Sequence, residues 1–348
     1  MIECVFTIDY EIYGNGQGSL RELVYEPAER LMDAFQRADA RFVNFVEAAE
    51  LEMIESQATD PAIERVKEQV RRLRGGGFEI GLHLHPQWYN ARYEKGAWVL
   101  DDAEYNLCLL KRERIEWIVE KAIGYLRAVL KEPEFVPLSF RAGNWLLQPS
   151  YAAAQVLADK GIRVDSSVFK GGVQRSRGLD YRRSLKNGYF WTFERDVNVE
   201  DAAGRLLEIP TYTRMVPFWR MLTSKRLGLQ HKGGAAGRRG AGPSLRQRVN
   251  RLRDLFRIRY PLKLDFCRMT FDELRAGLEA MIREDRKSPA LFKPVVAIGH
   301  TKDLTDFDTV TRFLSFLKDS GIKVSTFEDV RESCGLKAAR QTAPSATR

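Results

Sequence analysis

The sequence predicts an α/β fold: a largely parallel sheet with helices packed outside it. Three observations predict this. Short apolar, β-branched runs alternate with stretches of helical spacing along the whole chain. That alternation builds parallel strand–helix–strand units. At 348 residues and 44% hydrophobic, the chain falls in the size range of a single α/β barrel. Finally, chemistry-bearing side chains recur just after the apolar runs, where parallel α/β folds gather their functional residues.

The elements follow in order. Residues 2–9 (IECVFTID) read as a buried strand, apolar, β-branched and short. Residues 26–40 have helical spacing through Leu31, Met32 and Phe35. Residues 41–46 read as a second strand and 48–56 as a short helix. Asp60-Pro61 suggests an N-cap with proline at the first helical position, opening a helix to residue 73 that Gly75-Gly76-Gly77 ends. Residues 78–83 form the next strand, and 109–131 a long amphipathic helix. Then come a strand at 136–141, a helix at 150–160 and a strand at 162–165. Residues 189–193 and 206–209 read as further strands. Residues 271–284 are helical, 295–298 a strand, 306–319 a helix and 322–326 the last strand.

The formal net charge is +9, and its origin is local. Residues 225–259 carry eleven cations against one acid, Asp254, leaving the rest of the chain close to neutral. Residues 231–243 (HKGGAAGRRGAGP) read as a mobile loop, and 244–259 resume helical spacing with arginines between. The expected organisation is one domain over residues 1–335, a basic insertion at about 222–260 and a disordered tail at 336–348. Four scattered cysteines do not make a disulfide framework. No leader pattern precedes the first strand, and no apolar run reaches membrane-spanning length. The expectation is a cytoplasmic protein, with possible contact to an anionic inner-membrane face through 225–259.

Two segments place metal-type side chains two residues apart: Asp9-Tyr10-Glu11 and His83-Leu84-His85. A strand turns alternate side chains to one face, so each pair can aim at one point. Carboxylate and imidazole are ligands for zinc and similar divalent ions. Pro86 ends the second strand and restrains His85. Arg141 follows the strand ending PLSF, and an arginine there can hold a carboxylate ionised. Asp165 follows GIRV, where a lone aspartate also suits a turn, and His300 follows VVAIG. Trp88, Tyr89, Asn144 and Trp145 flank these motifs; the aromatic rings suit sugar stacking or packing at a barrel rim equally.

The order Asp-x-Glu, His-x-His-Pro, Phe-Arg-x-Gly, Asp-Ser-Ser, Gly-His resembles the polysaccharide deacetylase superfamily of carbohydrate esterases, as a divergent member. The resemblance covers roughly residues 1–330 apart from the basic insertion. It implies a distorted (β/α) barrel of about seven parallel strands with outer helices. It implies a metal-dependent hydrolase that removes an N-acyl group from a sugar in cell-surface polysaccharide or lipopolysaccharide biosynthesis. A divalent metal, zinc first and cobalt, nickel or iron as alternatives, would sit on Glu11, His83 and His85. Asp9 would be the base, Arg141 its brace, His300 the acid and Asp165 the residue that tunes it. Asn144 would join the three aromatic residues in substrate binding. Two departures stand out: Tyr10 separates acids that are adjacent in the family, and Gly81 occupies the place of a histidine four before His85.

Two other functions stay open. One is deformylation of a polyprenyl-phosphate-linked amino sugar at the membrane face. The other is a non-catalytic barrel that binds glycan or membrane. Nucleic acid is disfavoured as a partner, because the aromatic residues cluster near the histidines and not in the basic insertion.

Overall fold

The computed structural model describes residues 1–221, 223, 225 and 258–336. Nine strands make one sheet: β1 (Ile2–Tyr10), β2 (Val43–Glu47), β3 (Glu79–Leu84), β4 (Ser139–Ala142), β5 (Val164–Asp165), β6 (Trp191–Phe193), β7 (Leu206–Glu208), β8 (Lys293–His300) and β9 (Lys323–Ser325). Their order is β6-β7-β5-β4-β3-β2-β1-β8, with β9 also on β1. Every pairing is parallel except β6 with β7. β8 lies along one edge of β1, whose other edge takes β9 at Glu3–Val5 and β2 at Thr7–Tyr10. Beyond β7, Thr211 bridges both Phe169 and Val296 of β8, so single bridges join the two ends of the curled sheet. The expected barrel of about seven parallel strands is therefore a curled, mostly parallel sheet of nine.

Among the described residues, seven helices of at least nine residues surround it: α1 (Glu26–Arg37), α2 (Ala48–Ser56), α3 (Ile63–Gly75), α4 (Arg112–Leu130), α5 (Tyr151–Asp159), α6 (Phe271–Asp285) and α7 (Phe307–Asp319). Each buries a helical stripe: Val66, Val70 and Leu73 on α3, and Val310, Phe313, Leu314 and Leu317 on α7. A chain of rings fills the core beneath, with Phe6–Phe35 at 5.1 Å, Phe35–Phe42 at 5.1 Å and Phe42–Phe78 at 4.6 Å between centroids. All four cysteines are free and buried.

Boundaries moved by one to three residues where local groups found other partners. The helix expected from Pro61 starts at Ile63, because Asp60 makes a turn instead: its carboxylate accepts from Ala62 N at 2.8 Å and Leu20 N at 2.7 Å. The sequence reading had no element at 92–99, where a two-stranded hairpin forms. The helix expected at 244–259, the mobile loop at 231–243, nearly all of the basic insertion and the tail lie outside the described residues.

Candidate active site

Register assembles the site. Asp9, at the end of β1, pairs with His300 of β8 on one side and Phe45 of β2 on the other. His83 of β3 pairs with Glu47 of β2 and with Arg141 of β4. Five adjacent strands thus deliver their last residues to one end of the sheet, where parallel α/β folds build sites.

Arg141 organises the centre. It is fully buried, and its guanidinium makes four hydrogen bonds: Nη1 donates to Asp9 Oδ1 (2.7 Å), Nη2 to Thr7 Oγ1 (2.9 Å) and Ser166 Oγ (3.2 Å), Nε to the Ser166 carbonyl (3.0 Å). Asp9 Oδ2 faces His300 Nε2 at 3.3 Å. Burial pushes the Asp9 carboxyl up, but Arg141, then His83 and His300, outweigh it and hold the group below its ordinary range.

Glu11 serves a different set. Lys302 Nζ holds Oε1 at 2.8 Å, so Oε2 is left facing His83 Nε2 at 3.5 Å and His85 Nε2 at 3.1 Å. Burial raises this carboxyl, yet Lys302 and the two histidines bring it well below the usual value. His83 Nδ1 lies 2.9 Å from the Arg141 carbonyl. A carbonyl only accepts, so Nδ1 donates to it, and Nε2 of the charged ring turns its own proton towards Glu11, a proton that a bound cation would displace. His83 would be pushed down by burial; Asp9, Glu11 and Glu47 instead lift it to about 9.

These residues fit a divalent cation. One donor atom each from Glu11, His83 and His85 lie within 4.8 Å of one another, a carboxylate–diimidazole set suited to zinc. Gln87 Oε1 is buried with no partner, while Gln87 Nε2 sits 3.3 Å from His85 Nδ1. Turning over both that amide and the Asn144 amide, whose Nδ2 lies 3.1 Å from the same ring nitrogen, would give a His85 Nδ1 proton oxygens to donate to and leave His85 Nε2 for a metal.

Several expected partners separate. Asp165 was expected beside His300. Its carboxylate instead accepts from Ser167 Oγ (2.7 Å) and Ser167 N (3.2 Å), and it lies against Glu208. The acid facing His300 is Asp303, 4.0 Å from Nδ1. Trp88 was grouped with the sugar-stacking residues; it is 0% exposed and packs edge-on against Trp98 at 5.1 Å. Tyr89 is buried too, its hydroxyl donating to Glu52 at 3.0 Å. Asn144 Nδ2 is 3.1 Å from His85 Nδ1. Trp145 lies with its ring 5.2 Å from the Arg141 guanidinium.

Sequence reasoning missed Lys302, Asp303, Glu47 and Lys263. Glu47 was findable, since it ends β2 as the named residues end their strands. Its Oε2 accepts from His85 N at 2.6 Å, and burial lifts its carboxyl to about 7, against the pull of both histidines. The departure at Gly81 also has a physical cause. A Cβ at Gly81 would come within 2.7 Å of the Phe45 ring and of Ser139 Oγ, so Phe45 fills the space a histidine would need. Gly143 lets β4 pass close by: a Cβ there would stand 2.5 Å from the Leu84 carbonyl and 2.7 Å from the His85 ring.

No protein-family model matches the chain, and no curated protein does. Solved structures do. A Mycobacterium smegmatis protein assigned as a polysaccharide deacetylase superposes with TM-score 0.52 at 14% identity, over 99% of this chain and 94% of its own. PuuE allantoinase gives 0.49 at 12% identity, over 97% and 92%. A Pseudomonas aeruginosa PAO1 protein, also assigned as a polysaccharide deacetylase, gives 0.49 at 12%, over 95% and 90%. The fold of this chain is that of the polysaccharide deacetylases.

Proposed function

We propose that the protein is a metal-dependent hydrolase that removes an N-acyl group, acetyl first, from a sugar used in cell-surface glycan biosynthesis. One observation carries the reading. A carboxylate kept ionised by a buried arginine, Asp9, stands beside a histidine, His300, and next to a Glu11–His83–His85 donor set, with Glu11 within cation-sharing reach of both groups. A base, an acid and a cation site are what amide hydrolysis needs within one hydrogen-bond shell.

When bound, a divalent cation, zinc first, supplies Lewis acidity towards the acyl carbonyl and acidifies the attacking water. Asp9 accepts a proton from that water, because Arg141 keeps its carboxylate charged. His300 returns a proton to the departing amine. Glu11 takes no part in proton transfer, since Lys302 and the two imidazoles occupy it. Asp303, 4.0 Å from His300 Nδ1 and not hydrogen-bonded to it, favours the imidazolium by its charge, the role the sequence reading gave to Asp165. Trp145 and Asn144 bound the site on the β4 side, where the sugar docks.

Deformylation uses the same residues and differs only in the acyl group. Contact with an anionic membrane face at the cytoplasmic side accords with the charge of residues 225–259. Trp219 (71% exposed) and Ile258 (89% exposed), on either side of most of that stretch, add apolar anchors. Among the described residues, no helix is long and apolar enough to cross a membrane.

The test is release of acetate or formate from N-acetyl and N-formyl sugars with added zinc, cobalt or nickel. Activity is expected in the wild type and absent in Asp9→Asn; full activity in that variant would sink the scheme.

A further inference from the structure

The charges of the site pair off, with one exception. Asp9 has Arg141 at 2.7 Å, Glu11 has Lys302 at 2.8 Å, and Asp303 has Arg268 Nε at 2.8 Å. Lys263 has no such partner. Its Nζ makes no hydrogen bond and no ion pair within 4.0 Å among the described residues; its close neighbours are rings. It stands 4.0 Å from the centre of the Trp145 indole and 5.1 Å from that of Phe169. Trp145 is the same ring that the Arg141 guanidinium approaches to 5.2 Å. One indole therefore separates a free ammonium from the Asp9–Arg141 pair.

The surroundings hold Lys263 in place. It ends the strand 260–263, opposite Thr213 in a two-stranded hairpin. The Trp145 carbonyl beneath accepts from the Tyr181 hydroxyl at 2.6 Å, and that hydroxyl also accepts from Leu147 N at 3.1 Å, so the aromatic floor is tied down. Burial costs the ammonium some of its hydration and lowers it to about 8, with Asp265 opposing that shift and Arg268 adding to it. A half-buried cation that forgoes a carboxylate is costly unless something else supplies the negative charge. A methionine would pack on the two rings equally well without that cost.

We propose that Lys263 is the specificity residue of this site, holding an anionic group of the substrate, a phosphate or a carboxylate, one ring away from the acyl group. The inference rests on the hydrolase reading for the word substrate, but its chemistry is that of anion recognition and is measurable by binding alone. Trp145 then stacks on the sugar between the two ends: acyl group towards Asp9 and Arg141, anion towards Lys263.

The experiment is calorimetric titration of the full chain with three probes: neutral N-acetylglucosamine, N-acetylglucosamine 1-phosphate and N-acetylmuramic acid. Lys263→Met and Lys263→Arg are compared with the wild type. The wild type should bind at least one of the anionic probes about tenfold or more tightly than the neutral one. A phosphate preference alone identifies a phosphorylated sugar, and a carboxylate preference alone an acidic sugar. Lys263→Met should erase the preference while keeping the far-ultraviolet spectrum, and Lys263→Arg should keep most of it. Equal affinity for all three probes, no binding of either anion, or an intact preference in Lys263→Met overturns the proposal. Anion preference without hydrolysis of any probe would leave this inference standing and count against the hydrolase reading.

Discussion

Arg141 on β4 and Asp9 on β1 form a buried ion pair, Nη1 to Oδ1 at 2.7 Å, across the two strands that lie between them in the sheet. Neither charge reaches solvent, so each depends on the other. Replacing Arg141 by methionine leaves the Asp9 carboxylate buried with His300 alone at close range. Breaking such a pair costs about 3–5 kcal/mol. Arg141→Met should lose that much in urea denaturation, and hydrolysis should fall by about two orders of magnitude or more as Asp9 takes up a proton.

Metal binding separates the two carboxylates. Elemental analysis after dialysis should find one divalent ion per wild-type chain, and none in His83→Ala or His85→Ala. Asp9→Asn should retain the ion, because Asp9 is engaged by Arg141 and His300 instead of the histidine pair. Loss of metal in Asp9→Asn would move the ligand role from Glu11 to Asp9.

Asp303 should set the acid limb. Burial lowers the His300 imidazolium below its ordinary value, Asp9 and Asp303 raise it, and Lys302 lowers it further. Removing the Asp303 charge takes away one raising influence, so protonated His300 is lost at a lower pH. In Asp303→Asn the alkaline limb of the pH–rate profile should move down by about one unit. In Asp165→Asn it should stay where it is.

Glu208 and Asp165 give the fold a pH dependence. Both carboxyls are fully buried and burial raises both; Asp165 raises Glu208 further while the hydrogen bond with Glu208 lowers Asp165, so Glu208 stands well above its ordinary value. Glu208 Oε2 has no donor, which a proton held between the two carboxyls supplies. A carboxyl whose folded-state value is raised stabilises fully below its unfolded value near 4 and loses that contribution as pH rises. Glu208→Gln mimics the protonated form permanently and still accepts from Val168 N through its oxygen. Its melting temperature should exceed the wild type's by a few degrees at pH 8 and converge with it towards pH 4.

Much of the fold was legible because periodicity is local. The strands at Ile2–Tyr10 and Glu79–Leu84 and the helices at Ala48–Ser56 and Phe307–Asp319 stand within two residues of their expected bounds. Asp9, Glu11, His83, His85, Arg141 and His300 could be picked out as candidates because a parallel sheet sends its functional residues to strand ends, and those ends are marked by where the apolar runs stop. Glu47 obeys the same rule and was passed over, since it reads as the first turn of α2, whose Glu50 N it caps at 3.3 Å.

By itself, then, the sequence determined which side chains stand at the ends of the strands, and that Asp9 with Glu11 and His83 with His85 each share a face. Which of them meet was decided only by the tertiary structure. Strand order and curl gave Asp9 to Arg141 and His300, Glu11 to the histidines and Lys302, and Asp165 to Glu208. They also filled the place beside Gly81 with the Phe45 ring and set Lys263 over Trp145 with no ion pair among the described residues. The physical reason is range: facing and periodicity are properties of a few neighbouring residues, whereas these pairings join residues as much as 291 positions apart in the chain.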